Sequence, residues 1–600
     1  MKNCKRRKTN LAMAWIDYKK AFDMVPHSWI IKTLNLCKVA KNVETFLSKT
    51  MESWTTQLTS NGTDLGEVRI RRGIFQGDSL SPLLFVIALI PMSLILRKVK
   101  MSYSLGKNEG KLNHLLFMDD LKLYAMDENQ IDSLIQTVRV FSGDISMEFG
   151  LSKCAVVILR RGKLVESRGI QMPNDEHLQS LDQDDVYKYL GILEADDIKH
   201  QTMKDLLRKE YFRRIRKILT SKLNGQNIVT SINTRAVSII RYGAGIINWS
   251  VSELRDMDRK TRKQLTINGS HHPKANVDRI YLERSKGGRG IISVEDCVLI
   301  ESASLNKYLS SSEENLLKIA HKEGVVKRKG EETDKETVEK AHTDNLAERK
   351  LHDQFHKATR DVRGDHSWDW LKSGYLKKET ESTVFAAQDQ AISTNNHRKV
   401  ILKEDISPLC RVCGKYNETV AHILSECPDL AQCEYKTWRH DLVAQAIHWK
   451  LCEKWGFVAG RTWYSHDPEK VLENENCKLL WDFPIQTDQK LEHNKPDIVC
   501  IDKKTQEVLL IDPACPFDSR IVTKEGEKLT NYNKLEYELM KIWKMKKVKT
   551  IPVIVGCLGT VTKKLPDWLK AIDIDISISL LQKITLLGSC KIMRKVLSTQ

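Results

Sequence analysis

The apolar positions along this chain fall into strand-like runs at its two ends, with helical periodicity and charge between them. Residues 11–16 form a continuous apolar run that stops at Asp17, after which a helix can begin. Residues 115–123 read Leu-Leu-Phe-Met-Asp-Asp-Leu-Lys-Leu: two short apolar runs meet at Asp119-Asp120, which predicts a tight hairpin carrying two carboxylates at its tip. Between them a polar loop, residues 73–79 with Gly73 and Gly77, leads into the near-continuous apolar run 80–96 and predicts a buried helix. Ser81, Pro82, Pro91 and Ser93 interrupt that run, which is too short and too broken to be expected to span a bilayer. Residues 133–150 place Leu134, Ile135, Val138, Phe141, Ile145 and Phe149 at helical spacing, and 151–154 then turn into a strand at 155–159.

From residue 197 to about 309 the pattern becomes helical and basic, and 208–222 sets Lys and Arg among apolar residues, which suits a helix lying on a nucleic-acid backbone. Residues 311–360 alternate Lys with Glu around few apolar anchors and read as solvated helix or linker. In the tail, 495–501 and 507–512 predict two strands joined by a Lys-Lys-Thr turn. Each carries an acid, Asp497 and Asp512, and a hairpin of that size can bring both carboxylates to one metal.

Charge and cysteine usage narrow the class. The 600 residues suggest three or four domains, 41% of them apolar and 29% charged, as in ordinary globular chains. A net charge of +18 favours a polyanionic partner, with nucleic acid the default. The fourteen cysteines suit a reducing compartment, and one group has ligand spacing: Cys410-x2-Cys413-x8-His422-x4-Cys427. Three thiolates and an imidazole supply the tetrahedral donor set of zinc, with Gly414 allowing the chain to turn, so about one zinc per chain is expected. No secretory signal is visible. The basic run at residues 2–8 reads as a solvated tail or as an address for nuclear entry.

Asp is common in turns, so Asp119-Asp120 alone leaves a solvated turn open. The second stretch changes this. If the two strands lie side by side, Asp17 and Asp119 come from neighbouring strand ends, and such carboxylates repel unless hard cations, magnesium or manganese, neutralise them. Two ions roughly 3.5–4 Å apart are the apparatus of phosphoryl transfer.

The three stretches around Asp17, Gly73–Phe85 and Asp119-Asp120, in this order and spacing, closely resemble the reverse transcriptases of retrotransposons that lack long terminal repeats. The resemblance implies an α+β fold class: a right-hand polymerase palm with a helical thumb, a small zinc knuckle, and a C-terminal α/β restriction-like nuclease domain. The expected divisions are palm 1–196, thumb and following segment 197–309, charged helical linker 310–405, CCHC knuckle 406–430, helical connector 431–480 and nuclease 481–600. It implies RNA-directed DNA synthesis primed at a nick in chromosomal DNA, with Asp17, Asp119 and Asp120 as metal ligands. Phe22 would block a ribose 2′-OH, Gln76 would contact the nascent base pair, and Lys153 would face the triphosphate. The hairpin at 187–192 resembles a primer grip. Met118, where the family usually has a small residue, would press on the primer terminus. Asp497 and Asp512 would bind magnesium in a restriction-like endonuclease. Ala514 stands where its lysine is usual, so the lysine is expected from the following helix, Lys528 first and Lys534 second. Asp518, on the turn beyond the strand, is expected to be dispensable. The implied partners are an RNA template, a DNA target and primer, and deoxynucleoside triphosphates, with no membrane, and the implied localisation is nuclear.

The family's fingers subdomain precedes the Asp17 strand, whereas this chain opens almost directly on that strand, so it reads as a fragment or a 5′-truncated copy. The competing expectation is a catalytically dead relic that only binds nucleic acid through its basic surface and knuckle.

Overall fold

The computed structural model describes residues 1–106, 110–172, 177–181, 185–324 and 333–598, which cluster into two compact units. The first comprises Met1–Leu207, Gly245–Asn248 and Leu305–Lys329, the second Arg208–Ala244, Trp249–Ser304 and Gly330–Gln600.

In the first unit, a five-stranded antiparallel sheet has the order β2-β3-β1-β4-β5, built from β1 (Leu11–Ile16), β2 (His114–Phe117), β3 (Asp120–Ala125), β4 (Ala155–Arg160) and β5 (Lys163–Val165). The central strand β1 is buried along its whole length because both faces are covered. Ala12, Ala14 and Ile16 join a core with helices α1 (Ser81–Lys98) and α2 (Glu128–Asp144), while Leu11, Met13 and Trp15 face a smaller cluster with Tyr103 and Val157. A strand buried on both sides cannot alternate with polar residues, which accounts for the unbroken apolar run. Helix α1 is long and apolar enough by composition to cross a membrane, and here Leu84, Phe85, Ala88, Leu89 and Met92 are buried in the core of this unit. Asp78 caps it, its Oδ2 accepting from Ser81 N at 2.9 Å and Ser81 Oγ at 3.0 Å.

Helix α2 ends at Asp144, short of the 133–150 periodicity. Ser146 turns into the left-handed region (φ 57°), and Phe149 then pairs with Tyr18 in a β-bridge, so the last apolar positions serve the sheet instead of the helix.

The hairpin of Tyr187–Tyr189 and Ile192–Glu194 is tied to the sheet by a buried charge pair. Lys122 Nζ lies 2.6 Å from Glu194 Oε1, which also accepts from Trp15 Nε1 at 2.9 Å, while the ammonium sits 4.7 Å from the Trp15 ring and 5.1 Å from that of Tyr189. Tyr187 stacks on Trp15 at 5.0 Å.

The second unit contains α3 (Asp441–Trp455) and a sheet with strands in sequence order: β6 (Val471–Glu473), β7 (Cys477–Trp481), β8 (Ile498–Asp502), β9 (Glu507–Ala514) and β10 (Lys547–Ile554). The first four run antiparallel, whereas β10 returns parallel to β9 after α4 (Ile521–Ile542), as a parallel pair needs a long crossover. Residues within the stretch read as a charged linker supply Phe355, Trp368, Trp370, Leu371, Val384 and Phe385 to a core shared with Cys410, Leu424 and Cys427 and with α5 (Ile578–Ser598). Its helix Lys335–Glu348 is anchored too: His342 pairs with Asp278 and Asp296, each at 2.9 Å. The basic residues around Gly287-Gly288 are committed to packing. Arg284 bonds Glu381 at 2.6 Å, Arg289 is buried beside the Phe385 ring, and Gly287 lies against Trp368 where a Cβ would have no room.

Removing Glu194 would leave Lys122 buried and unpaired. Glu194→Ala is expected to cost about 3–5 kcal/mol of stability in urea unfolding, and Lys122→Met combined with Glu194→Leu to recover most of that loss.

Candidate functional site

Asp17 is the first residue after β1, and the register of its neighbours fixes what it meets. Ile16 pairs with Leu121 on β3 and Trp15 with Ala155 on β4, so Asp17 falls between Asp120 on one side and Lys153 on the other. Lys153 Nζ is 3.4 Å from Asp17 Oδ2, an oxygen that is buried and accepts no hydrogen bond. Gly150 permits this placement, because a Cβ there would stand 2.9 Å from the same oxygen. The backbone is pinned as well: Gly150 N donates to Asp17 O at 2.8 Å, and Asp17 N reaches Cys154 Sγ at 3.3 Å.

Phe117 pairs with Asp120, leaving Met118 and Asp119 as the two-residue turn, with Met118 in the left-handed region (φ 54°). Burial raises the Asp120 carboxyl above the usual carboxylate range, and the negative charges of Asp119 and Asp17 raise it further. Neighbouring carboxylate oxygens that repel one another are a donor set suited to magnesium or manganese. Met118 packs partly against the core at the base of this turn.

Phe22 lies flat on Phe85 of α1, centroids 4.8 Å apart and planes 4° from parallel, and remains partly exposed. The loop before α1 docks beside it: Ile74 N donates to Phe22 O at 2.9 Å, and Gly73, at φ 88°, passes so close to Asp23 that a Cβ would meet its backbone at 2.8 Å. Gln76 is exposed on this loop. The structure thus brings Asp17, Asp120 and Lys153 to one edge of the sheet, next to the Asp119 turn, and seats the Phe22 ring on α1.

Three groups of side chains among the described residues bring possible ligand atoms within 4.8 Å of one another, and all lie in the second unit. The first is Cys410, Cys413, His422 and Cys427, the set with knuckle spacing. Cys413 Sγ is 3.4 Å from His422 Nε2, and Gly414 turns in the left-handed region (φ 64°) so that its N–H reaches Cys410 O at 2.8 Å. Burial raises the Cys427 thiol above its ordinary value, and the neighbouring Cys410 and Cys413 add to it. Glu418, fully buried, receives Arg411 and the Asn395 N–H and holds the loop in place.

The second group is His440, Asp497 and Asp512. Ile498 pairs with Ile511, so Asp497 and Asp512 occupy the next facing positions on β8 and β9. Asp512 is 1% exposed, and Lys528 on α4 bonds its Oδ1 at 2.7 Å. Lys534, further along α4, is exposed. Burial, with Asp497 adding and Lys528 opposing, pushes Asp512 up to about 6. Burial would raise Asp497 also, but His440, 3.1 Å away, holds it below the usual range. His440 itself rises to about 10: burial alone would lower it, and its bonds to Asp441 and Asp497 more than reverse that. His440 escaped the sequence reading, since it lies 57 residues upstream; the signal was a His-Asp pair opening a helix. A cleft of about 480 Å³ beside this group is lined by Lys436, Arg439, Arg520, Lys524 and Lys528.

Asp518 differs from its expectation as a dispensable turn residue. It is fully buried, accepting from Leu558 N at 2.8 Å and Thr560 N at 2.9 Å, so its removal would strand both amides.

Residues 1–193 match the family described as reverse transcriptase (RNA-dependent DNA polymerase). Over 185 residues the chain is 28% identical to the Pol polyprotein of the type-2 retrotransposable element R2DM of Drosophila melanogaster, covering 30% of this chain and 17% of that protein. Over 296 residues it is 23% identical to the Pol polyprotein of the R2 element of Popillia japonica, covering 47% of each. The chain therefore spans less than half the length of these relatives. Among solved structures, apo telomerase from Candida tropicalis aligns with 53% of this chain and 52% of its own at 12% identity and a TM-score of 0.28. Residues 1–193 are thus similar to reverse transcriptases, and the likeness extends to the Pol polyproteins of R2 retrotransposable elements.

Proposed function

We propose that this chain is an RNA-directed DNA polymerase with a linked DNA endonuclease, copying retrotransposon RNA from a nick in chromosomal DNA. The observation that carries the reading is the register at the end of β1, which sets Asp17 between Asp120 and Lys153. Asp17, Asp119 and Asp120 would hold magnesium or manganese, which supplies charge neutralisation and a more acidic primer hydroxyl when bound. The protein's own groups do the rest. Lys153, exposed beyond its contact with Asp17, meets the negative charge of a triphosphate; Phe22, held flat by Phe85, limits the space beside the sugar; Gln76 reaches the base pair from the loop before α1. The pairing proposed here is an RNA template with a DNA primer.

The endonuclease reading rests on Asp497 and Asp512 facing one another with Lys528 on one carboxylate and His440 on the other. Magnesium held by the two aspartates would polarise a scissile phosphate, and Lys528 would steady the charge that develops there. The basic cleft between them and residues 425–439 suits a phosphate backbone. Zinc is proposed at Cys410, Cys413, His422 and Cys427, and nuclear action follows from the chromosomal target.

Asp17→Asn should abolish primer extension on an RNA template while leaving the unfolding midpoint near that of the parent chain; extension at a near-normal rate would refute the carboxylate assignment. Phe22→Ala should admit ribonucleotides, read as a raised ratio of ribonucleotide to deoxyribonucleotide incorporation. For the nuclease, the full chain is incubated with supercoiled plasmid and magnesium, because its core includes residues well outside 481–600. Asp512→Ala should reduce nicking by roughly 10²-fold or more, with DNA binding retained and with exposed Asp567→Ala as the unaffected control. Binding that falls steeply with salt, ignores magnesium and is accompanied by neither synthesis nor nicking would identify a nucleic-acid-binding relic instead.

A further inference from the structure

The third ligand group, His448, Cys452 and His466, has no part in either proposed reaction. His448 and Cys452 are four residues apart on α3 and therefore share one face of it. His466 arrives from the following loop. Gly456, at φ 72°, ends α3, and the chain folds back so that Trp449 Nε1 donates to Gly460 O at 2.8 Å and the Gln445 amide donates to the carbonyl of His466. All three side chains are buried, His448 and Cys452 completely.

Their polar atoms converge. His448 Nδ1 is 2.8 Å from His466 Nε2 and 3.5 Å from Cys452 Sγ, and the rings stack with centroids 5.1 Å apart. The other nitrogen of His448, Nε2, is buried and meets no hydrogen-bond partner, so the polar contacts of a fully buried ring are directed at this one point. A tetrahedral zinc ion with Zn–N of about 2.0 Å and Zn–S of about 2.3 Å separates its ligand atoms by roughly 3.3–3.7 Å. The 3.5 Å spacing falls in that range, and the 2.8 Å spacing is about 0.5 Å short of it, so a bound ion requires the two rings to part slightly.

We infer that His448, Cys452 and His466 form a second structural zinc site, distinct from the knuckle. Two imidazoles and a thiolate are borderline and soft donors, which select zinc over magnesium. A neutral imidazole offers one nitrogen lone pair to a metal, and zinc binding releases the thiol proton to solvent. Three protein ligands leave the fourth tetrahedral position to a water or another oxygen donor. The site clamps the loop 456–466 to α3, the helix that follows His440.

The test is metal content of the full chain, purified without chelator and measured by mass spectrometry. The parent chain should carry about two zinc ions. Cys452→Ser and His466→Ala should each lose one while the knuckle keeps its own, and Cys413→Ser should lose the other. A parent chain with one zinc that Cys413→Ser removes and Cys452→Ser leaves in place overturns the inference. One zinc lost with Cys452→Ser and kept with Cys413→Ser upholds it and overturns the knuckle assignment instead. Should Cys452→Ser fail to fold, zinc-edge X-ray absorption of the parent chain decides. A mean ligand set richer in nitrogen and oxygen than three sulfurs to one nitrogen supports two sites, and that 3:1 ratio alone refutes the second.

Discussion

Carboxylates held close together at the ends of buried strands repel one another, and much of the arrangement in both units serves to contain that repulsion. In the first unit Asp17 and Asp120 are fixed by sheet register, and the neighbouring cation is the exposed ammonium of Lys153. In the second, Asp497 and Asp512 face one another across two strands, and His440 and Lys528 divide the charge between them. The same solution recurs inside the sheet of the first unit, where Glu194 lies against Lys122 and the indole of Trp15. In each case the backbone sets the position of the acid, and a side chain from another element supplies the opposing charge.

What could be read in the sequence was whatever is encoded locally. The apolar runs around Asp17 and Asp119 announce their strands because each residue's neighbours along the chain are also its strand neighbours, and the Cys-x2-Cys spacing does the same for the knuckle ligands. The pairing of Asp497 with Asp512 was legible for a related reason: a short hairpin converts sequence distance directly into register. Lys528 was reachable as the lysine of the next helix.

The rest depends on pairings between distant segments, which local patterning does not encode. His440 meets Asp497 across 57 residues, Glu194 meets Lys122 across 72, and His466 reaches His448 only because a loop of irregular backbone folds back over its helix. Asp518 was expected to be dispensable on the turn beyond the strand; its partners, the amides of Leu558 and Thr560, lie about forty residues on. The charged stretch 310–405 misled for the opposite reason. Its abundant Lys and Glu mask a few large aromatics, and a core needs only those few, among them Trp368, Trp370 and Phe385, to be placed well.

Helix α5 gives the second unit an order of assembly. Its residues Leu581 and Ile584 pack with the sheet core around Ile498 and Ile551, while Leu586, Cys590 and Met593 fill the core that holds Trp370, Phe385, Cys410 and Cys427. A chain emerging from the ribosome exposes Trp370, Phe385, Cys410 and Cys427 more than a hundred residues before the helix that packs against them is made. Until that helix arrives Cys410 and Cys427 stand in an unfinished apolar surface, open to chaperones and to oxidation.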